Sequence, residues 1–277
     1  MIPFDFEYYK PASVNEAVQT FQMMSENGKQ VVFYCGGTEF ITFARVNKIT
    51  ADAVIDLKGI YECHILEVQG DQLVIGAAVS LNKIAESNLF PLLGETVKRI
   101  ADHTSRNKIT LGGNIHSKLM YRESILPLLL SDATVKIAGS EEERIVPLAE
   151  IFQKEINMKP GEFLIQVVIK KDYIDLPYAS FKRTKMSKVG YPVVSIAALA
   201  KENRMRVAFS GVCEYPFRSP EIEDALNDSS LSTEKKIDQA VAHLPAPIVQ
   251  DLHGSASYRE FVLKNGLQDM IEALEGK

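Results

Sequence analysis

The chain has 277 residues, 46% of them apolar and 24% charged, with 16 glycines and 12 prolines. That is ordinary globular composition, enough for one large domain or two to three small ones, and it excludes a disordered or fibrous chain. The formal charge of −5, from 36 acidic against 31 basic residues, excludes a protein that coats nucleic acid, since such binding needs clustered cations to displace counterions.

Residues 1–10, MIPFDFEYYK, lack a basic segment followed by an apolar stretch, so no signal peptide is expected. No apolar run reaches the roughly 20 residues of a membrane-spanning helix. A cytoplasmic chain with no membrane partner is the expectation. Ser13-Val-Asn-Glu16 has capping-box spacing, and Val14, Ala17, Val18, Phe21 and Met24 then follow a helical period that Asn27-Gly28 ends. The β-rich run Val31–Cys35 stops at Gly36-Gly37-Thr38-Glu39, and Ala53–Leu57 reads as a second short buried strand. His64–Val68 and Leu73–Gly76, joined through Gln69-Gly70-Asp71, form a hairpin pattern.

Helices are expected near 80–88 and 91–102, then a second glycine turn at Thr110-Leu-Gly-Gly-Asn114, a helix over 124–130 and a strand over 134–138. Phe163–Ile169 is the strongest strand signal in the chain. From Leu176-Pro177 onward, strands over 178–184, 192–200 and 205–209 precede helices near 219–226, 232–243 and 255–274. Strands and helices interleave without regular βαβ alternation, so the fold class is α+β rather than a doubly wound sheet.

The three cysteines, Cys35, Cys63 and Cys213, lie far apart and form no disulfide framework, CxxC pair or local thiolate cluster. No metal site is expected. The five histidines make no HExxH, and neither a GxSxG elbow, a GxGxxG fingerprint nor a P-loop is present. No catalytic residue can be named. Two Gly-Gly motifs remain, Gly36-Gly37-Thr38 and Gly112-Gly113-Asn114. Paired glycines allow positive φ and close backbone approach, so successive amides can point at one anion. Each pair by itself reads first as a tight turn, because a Gly-Gly motif alone is a weak signal. Lys182-Arg-Thr-Lys185 with Lys188 is either a phosphate or partner contact or an exposed strand and loop.

Taken together, Val31–Phe40 (VVFYCGGTEF), Ile75–Leu81 (IGAAVSL), Thr110–Ile115 (TLGGNI) and Asp251–Arg259 (DLHGSASYR) resemble, in order and spacing, the FAD-binding subunit of the molybdenum hydroxylases. Within that family the likeness is greatest to the FAD-binding subunit of bacterial xanthine dehydrogenases, enzymes of purine breakdown. The resemblance implies an α+β architecture of the vanillyl-alcohol-oxidase (PCMH) type: FAD-binding subdomains over 1–60 and 61–175, then a C-terminal domain over 176–277 with a three-stranded sheet and helices. It implies FAD as cofactor, a molybdopterin-binding large subunit and a 2Fe-2S small subunit as partners, and electron flow from iron–sulfur clusters through FAD to NAD or another acceptor. The alternatives are the flavin subunit of a carbon monoxide or other aromatic or aldehyde dehydrogenase, and a stand-alone FAD oxidoreductase of the same fold.

By the same resemblance the first loop, Val32, Phe33, Tyr34, Cys35, Gly36, Gly37, Thr38, Glu39 and Phe40, wraps the FAD pyrophosphate through backbone amides. Thr110, Gly112, Gly113, Asn114 and Ser117 contact further phosphate and sugar groups, and Glu123 stands where an acidic residue contacts the adenosine ribose. Two segments depart from the family pattern. Arg122 replaces a small hydroxyl residue, and Val189-Gly190-Tyr191 replaces an acidic pair followed by an apolar residue. Tyr191 is therefore either a residue covering the flavin face or a core aromatic.

Overall fold

A computed structural model describes residues 2–275. Strand β1 (Glu7–Tyr9) leads into α1 (Val14–Glu26), whose Ser13 hydroxyl accepts from the Glu16 amide at 3.2 Å. The Glu16 carboxylate reaches one residue beyond a standard capping box, to the amide of Ala12 at 2.7 Å. Next come β2 (Val31–Tyr34), α2 (Thr38–Ala44) and β3 (Ala53–Asp56). The three strands form a parallel sheet in the order β1-β3-β2.

The second group begins with the hairpin β4 (Leu66–Gln69) and β5 (Gln72–Gly76), followed by α3 (Leu81–Ser87), α4 (Pro91–Lys98), α5 (His103–Arg106), α6 (Leu111–His116) and α7 (Ile125–Leu130). Then come β6 (Thr134–Ala138), β7 (Arg144–Pro147), α8 (Leu148–Ile151) and β8 (Phe163–Lys170). These strands make a five-stranded antiparallel sheet in the order β4-β5-β8-β6-β7. Its centre, β8, carries a register shift opposite Lys136/Ile137. A regular strand would put residues 163, 165, 167 and 169 on one face. The bulge instead lets Phe163 and Ile165 pack with Val14 and Ala17 of α1 and Ile55 of β3, while Val167 and Ile169 join the core under α3–α7.

The third group has strands β9 (Tyr178–Thr184), β10 (Pro192–Lys201), β11 (Arg204–Ser210) and β12 (Phe217–Arg218), and helices α9 (Pro220–Leu226), α10 (Thr233–Ala242) and α11 (Ala256–Glu275). The expected sheet of three strands gains a fourth, the two-residue β12, in the order β12-β11-β10-β9. Alternation along β10 explains its two partners. Ile196 and Ala198 pack under α9–α11, while Ala197 and Leu199 pack against the second group's core.

The second glycine motif differs from its expected form. It is not a turn but the first turns of α6, and neither Gly112 nor Gly113 has positive φ. Two glycines are poor helix formers, so the pattern reads as a loop. Leu111 and Ile115, four apart and fully buried, hold the helix in place through packing. Helix α2 was hidden for a related reason, since Thr38–Ala44 is rich in β-branched and aromatic residues.

Candidate functional site

Strand β2 delivers the first motif. Phe33 faces one core, with its ring 5.3 Å from Phe21 and 4.7 Å from Phe163. Val32, Tyr34 and Phe40 belong to a separate cluster on the other side. The side chains of Phe33 and Phe40 are thus committed to packing, and what this segment offers a ligand is backbone.

The turn itself is held from below. Lys58 Nζ donates to the Cys35 carbonyl at 2.6 Å and to Asp56 Oδ1 at 2.8 Å, and it lies 4.5 Å from the centre of the Tyr34 ring. Burial opposes the Asp56 charge, but the hydrogen bonds from Lys58 and Tyr8 outweigh it and keep the carboxyl below its ordinary range. Burial also pushes the Cys35 thiol up, which disfavours its thiolate.

The two glycines of this motif serve different needs. Gly37 has φ of 73°, a left-handed conformation, and a Cβ there would sit 2.2 Å from the Tyr34 hydroxyl oxygen. Gly36 is needed for close approach, because a Cβ would lie 1.9 Å from the Lys108 carbonyl oxygen. Gly37 is also the N-cap of α2 and offers no side-chain cap. The first-turn amides of Thr38, Glu39 and Phe40 have no acceptor within the helix.

The second motif docks beside the first through Ala77. The Ala77 amide donates to the carbonyl of Ile165, in the β8 bulge, at 2.8 Å, and its own carbonyl accepts from the Gly112 amide at 2.9 Å. A Cβ on Gly112 would meet Ala77 Cβ at 2.7 Å, so this glycine allows the helix to seat. Thr110 Oγ1 caps α6 by accepting from the Gly113 amide at 3.2 Å. Gly113 is exposed, with only that Oγ1 near its open side. Asn114 Oδ1 accepts from the Ser124 hydroxyl at 2.6 Å.

Glu39 ties the motifs together, accepting from the Ser117 hydroxyl and from the Lys118 amide at 2.8 Å. Ser117 is therefore buried and its hydroxyl is already engaged.

Glu123 is buried in the folded chain. Its side chain is 5% exposed and pairs with Lys182, also 5% exposed, at 2.9 Å. Lys182 further donates to the Arg99 carbonyl at 2.7 Å. Burial raises the Glu123 carboxyl despite the lysine, and its Oε1 has no partner. In this arrangement the carboxylate faces the interior, because the chain turns inward at residues 121–124 and Lys182 of the third sheet covers it.

Tyr191 is 48% exposed, so it is not a core aromatic. It stacks on Tyr121 at 4.7 Å and 14°, with the His253 ring edge-on to both. The fourth motif, Asp251–Arg259, carries this arrangement. Arg259 is fully buried, donates at 2.6 Å to the carbonyls of both Val193 and Gly211, and pairs with Asp251. Asp251 Oδ1 also accepts from the His253 amide at 2.8 Å.

Sequence reasoning missed Lys58, Tyr121, Ser124, the role of Lys182 and the contact made by Ala77 within the IGAAVSL motif. A period-two reading of β9 puts Lys182 on the face of Tyr178 and Ser180, a signal for its inward direction. Ser124 carries no such signal. Among the described residues no group of three or more His, Cys, Asp or Glu side chains is assembled for a metal ion, and no helix is long and apolar enough to cross a membrane.

The residues present fit an anionic dinucleotide cofactor. Uncapped amides open α2, the outer side of Gly113 is free, and the buried Arg122, eight positions after Asn114, has a nitrogen without a partner. The family model for the FAD binding domain in molybdopterin dehydrogenase matches residues 4–170. The 6-hydroxypseudooxynicotine dehydrogenase complex subunit alpha of Paenarthrobacter nicotinovorans is 25% identical, over 95% of this chain and 92% of its own. The carbon monoxide dehydrogenase medium chain of Afipia carboxidovorans is 26% identical, over 94% and 93% respectively. A chain of the carbon monoxide dehydrogenase structure from Hydrogenophaga pseudoflava superposes with a TM-score of 0.88 at 23% identity, covering 100% of this chain and 99% of that one. A chain of quinoline 2-oxidoreductase from Pseudomonas putida gives 0.85 at 22% identity, covering 99% and 98%.

Proposed function

The chain belongs to the FAD-binding domain family of the molybdopterin dehydrogenases, and on that premise we propose that it is the flavin-carrying electron-transfer subunit of a heteromeric molybdenum hydroxylase. Its partners in this reading are a molybdopterin-binding large subunit and a 2Fe-2S small subunit. The observation that carries it is the pairing of the two glycine motifs, locked by Glu39 across Ser117 and Lys118 beside the uncapped α2. The relatives named above act on carbon monoxide and nitrogen-containing compounds. They favour a carbon monoxide or other aromatic or aldehyde dehydrogenase over the xanthine dehydrogenase and purine role expected from sequence. A cytoplasmic setting belongs to the same proposal, in keeping with three unpaired cysteines.

Bound FAD would supply the capacity to take up electrons and pass them to NAD or another acceptor. The chain's own work is binding and orientation. The amides of Gly36, Gly37, Thr38 and Glu39 would cradle the pyrophosphate, and the backbone of Val32, Tyr34 and Cys35 would line the approach. Gly113, Asn114 and Thr110 would bound the sugar side, and Tyr191, stacked on Tyr121, would cover the ring system. No acid–base residue is required, and no ligand to a metal is asked of this chain.

The visible spectrum of the purified protein tests this reading, with maxima expected near about 370 and 450 nm. A colourless chain that also fails to take up added FAD would refute it. Co-purification of a large and a small partner distinguishes a subunit from a stand-alone oxidoreductase.

A further inference from the structure

Arg122 is 6% exposed, and its backbone has φ of 32°, a conformation that L side chains rarely adopt. Its guanidinium lies 5.1 Å from the centre of the Phe152 ring, and Nη2 donates to the Lys154 carbonyl at 2.6 Å. Nε is buried with no partner. No carboxylate pairs with it among the described residues, although Glu39 and Glu155 are close enough to favour its charge. Both are already engaged, Glu39 with Ser117 and the Lys118 amide, and Glu155 with Lys118 Nζ at 2.8 Å.

The other deeply buried arginines are better provided for. Arg106 makes three hydrogen bonds, to Asn82 and two carbonyls, and Arg259, whose Nε likewise has no partner, has Asp251 as counter-ion and two carbonyls. A buried guanidinium with one neutral hydrogen bond and no counter-ion is costly in the protein alone. Strain of this kind persists where a function requires it. Two positions on from Arg122, Ser124 holds Asn114 of the second glycine motif, and Glu39, whose charge favours that of Arg122, lies in the first turn of α2.

We infer that Arg122 is a diphosphate anchor, a cation held unpaired until the pyrophosphate of the dinucleotide cofactor supplies its counter-ion. This rests on the flavin reading above and adds to it a binding residue outside the glycine motifs. The guanidinium fork suits phosphate oxygens better than an ammonium does.

The test uses the full chain freed of flavin. FAD is titrated by fluorescence quenching, with ADP and adenosine as competitors, against wild type, Arg122→Gly and Arg122→Lys. For Arg122→Gly, FAD and ADP should each bind roughly 10- to 100-fold more weakly, the loss of hydrogen bonds to a charged group. Adenosine competition should be unchanged, and Arg122→Lys should fall between. Glycine relieves the positive φ and removes the unpaired charge, so the flavin-free Arg122→Gly chain should melt at or above the wild-type temperature. A merely structural arginine would lower it. FAD affinity within about twofold of wild type in Arg122→Gly would overturn the assignment, as would an equal loss for adenosine, which would put the contact on the nucleoside. A wild-type chain that takes up no FAD would overturn the assignment and the flavin reading together, whereas normal uptake by both proteins would overturn the anchor alone.

Discussion

Gly36→Ala perturbs the seam between the two glycine motifs most directly. The added methyl would lie 1.9 Å from the Lys108 carbonyl oxygen and 3.0 Å from its carbon. An ordinary C···O approach is about 3.3 Å, so the segments must part by roughly 1.4 Å. Both sides of the contact are backbone, and no side chain can swing aside. Overpacking of this kind costs typically 1–3 kcal/mol, and a backbone clash belongs at the upper end, about 3 kcal/mol. At roughly 2–4 °C per kcal/mol for a chain of this size, the melting temperature should fall by about 6–12 °C. FAD affinity should fall at least about tenfold, equivalent to one lost hydrogen bond to a charged phosphate.

Gly113→Ala is the control, because the new methyl meets only Thr110 Oγ1, at 3.0 Å, and is otherwise open. A glycine-to-alanine change inside a helix gains about 0.5–1 kcal/mol, which offsets that contact. Its stability should stay within about 1 kcal/mol of wild type while FAD binding weakens. Thermal unfolding of the flavin-free proteins and FAD titration read both effects. If Gly36→Ala melts at the wild-type temperature and binds FAD normally, the two motifs do not meet as described.

Lys182→Met leaves Glu123 buried without its cation and should cost about 3–5 kcal/mol, with Glu123→Gln in the same chain recovering part of it. Denaturant unfolding of the single and double variants checks this, and additive losses would show that the pair is not coupled. Asp132 accepts from Arg206 at 2.7 Å, Arg218 at 2.8 Å and Tyr173 at 2.5 Å, joining the end of α7 to the third sheet. Burial opposes its charge, but Arg206 and Tyr173 outweigh that and hold its carboxyl below the ordinary value of 3.8. A depressed carboxyl contributes stability above the unfolded pKa and loses it as pH falls through the folded one. Asp132→Asn should therefore narrow the gap in melting temperature between pH 7 and pH 3, and an unchanged gap would exclude the carboxylate as a source of acid lability. Tyr191→Ala exposes Tyr121 and should change flavin fluorescence or its reoxidation rate while leaving FAD affinity within about threefold, the aromatic stack being separate from the amide cradle. Unaltered fluorescence and rate would show that Tyr191 does not reach the flavin.

Local signals in the sequence are enough for much of this protein. The Ser13–Glu16 cap, the helical period after it and the strong β8 segment specify their elements from neighbours alone, because capping and alternation act over a few residues. The glycine motifs could be found in the same way, and their order and spacing pointed to the flavin family. What those glycines do could not. Only Gly37 uses a left-handed φ, whereas Gly36 and Gly112 are needed because Lys108 and Ala77 arrive from elsewhere in the chain. The inward turn of Glu123 toward Lys182, 59 positions away, and the exposure of Tyr191 on Tyr121 likewise follow from the packing of the third sheet on the second group. Burial and long-range contact are properties of the assembled chain, and they decide which candidate residues remain available to a ligand.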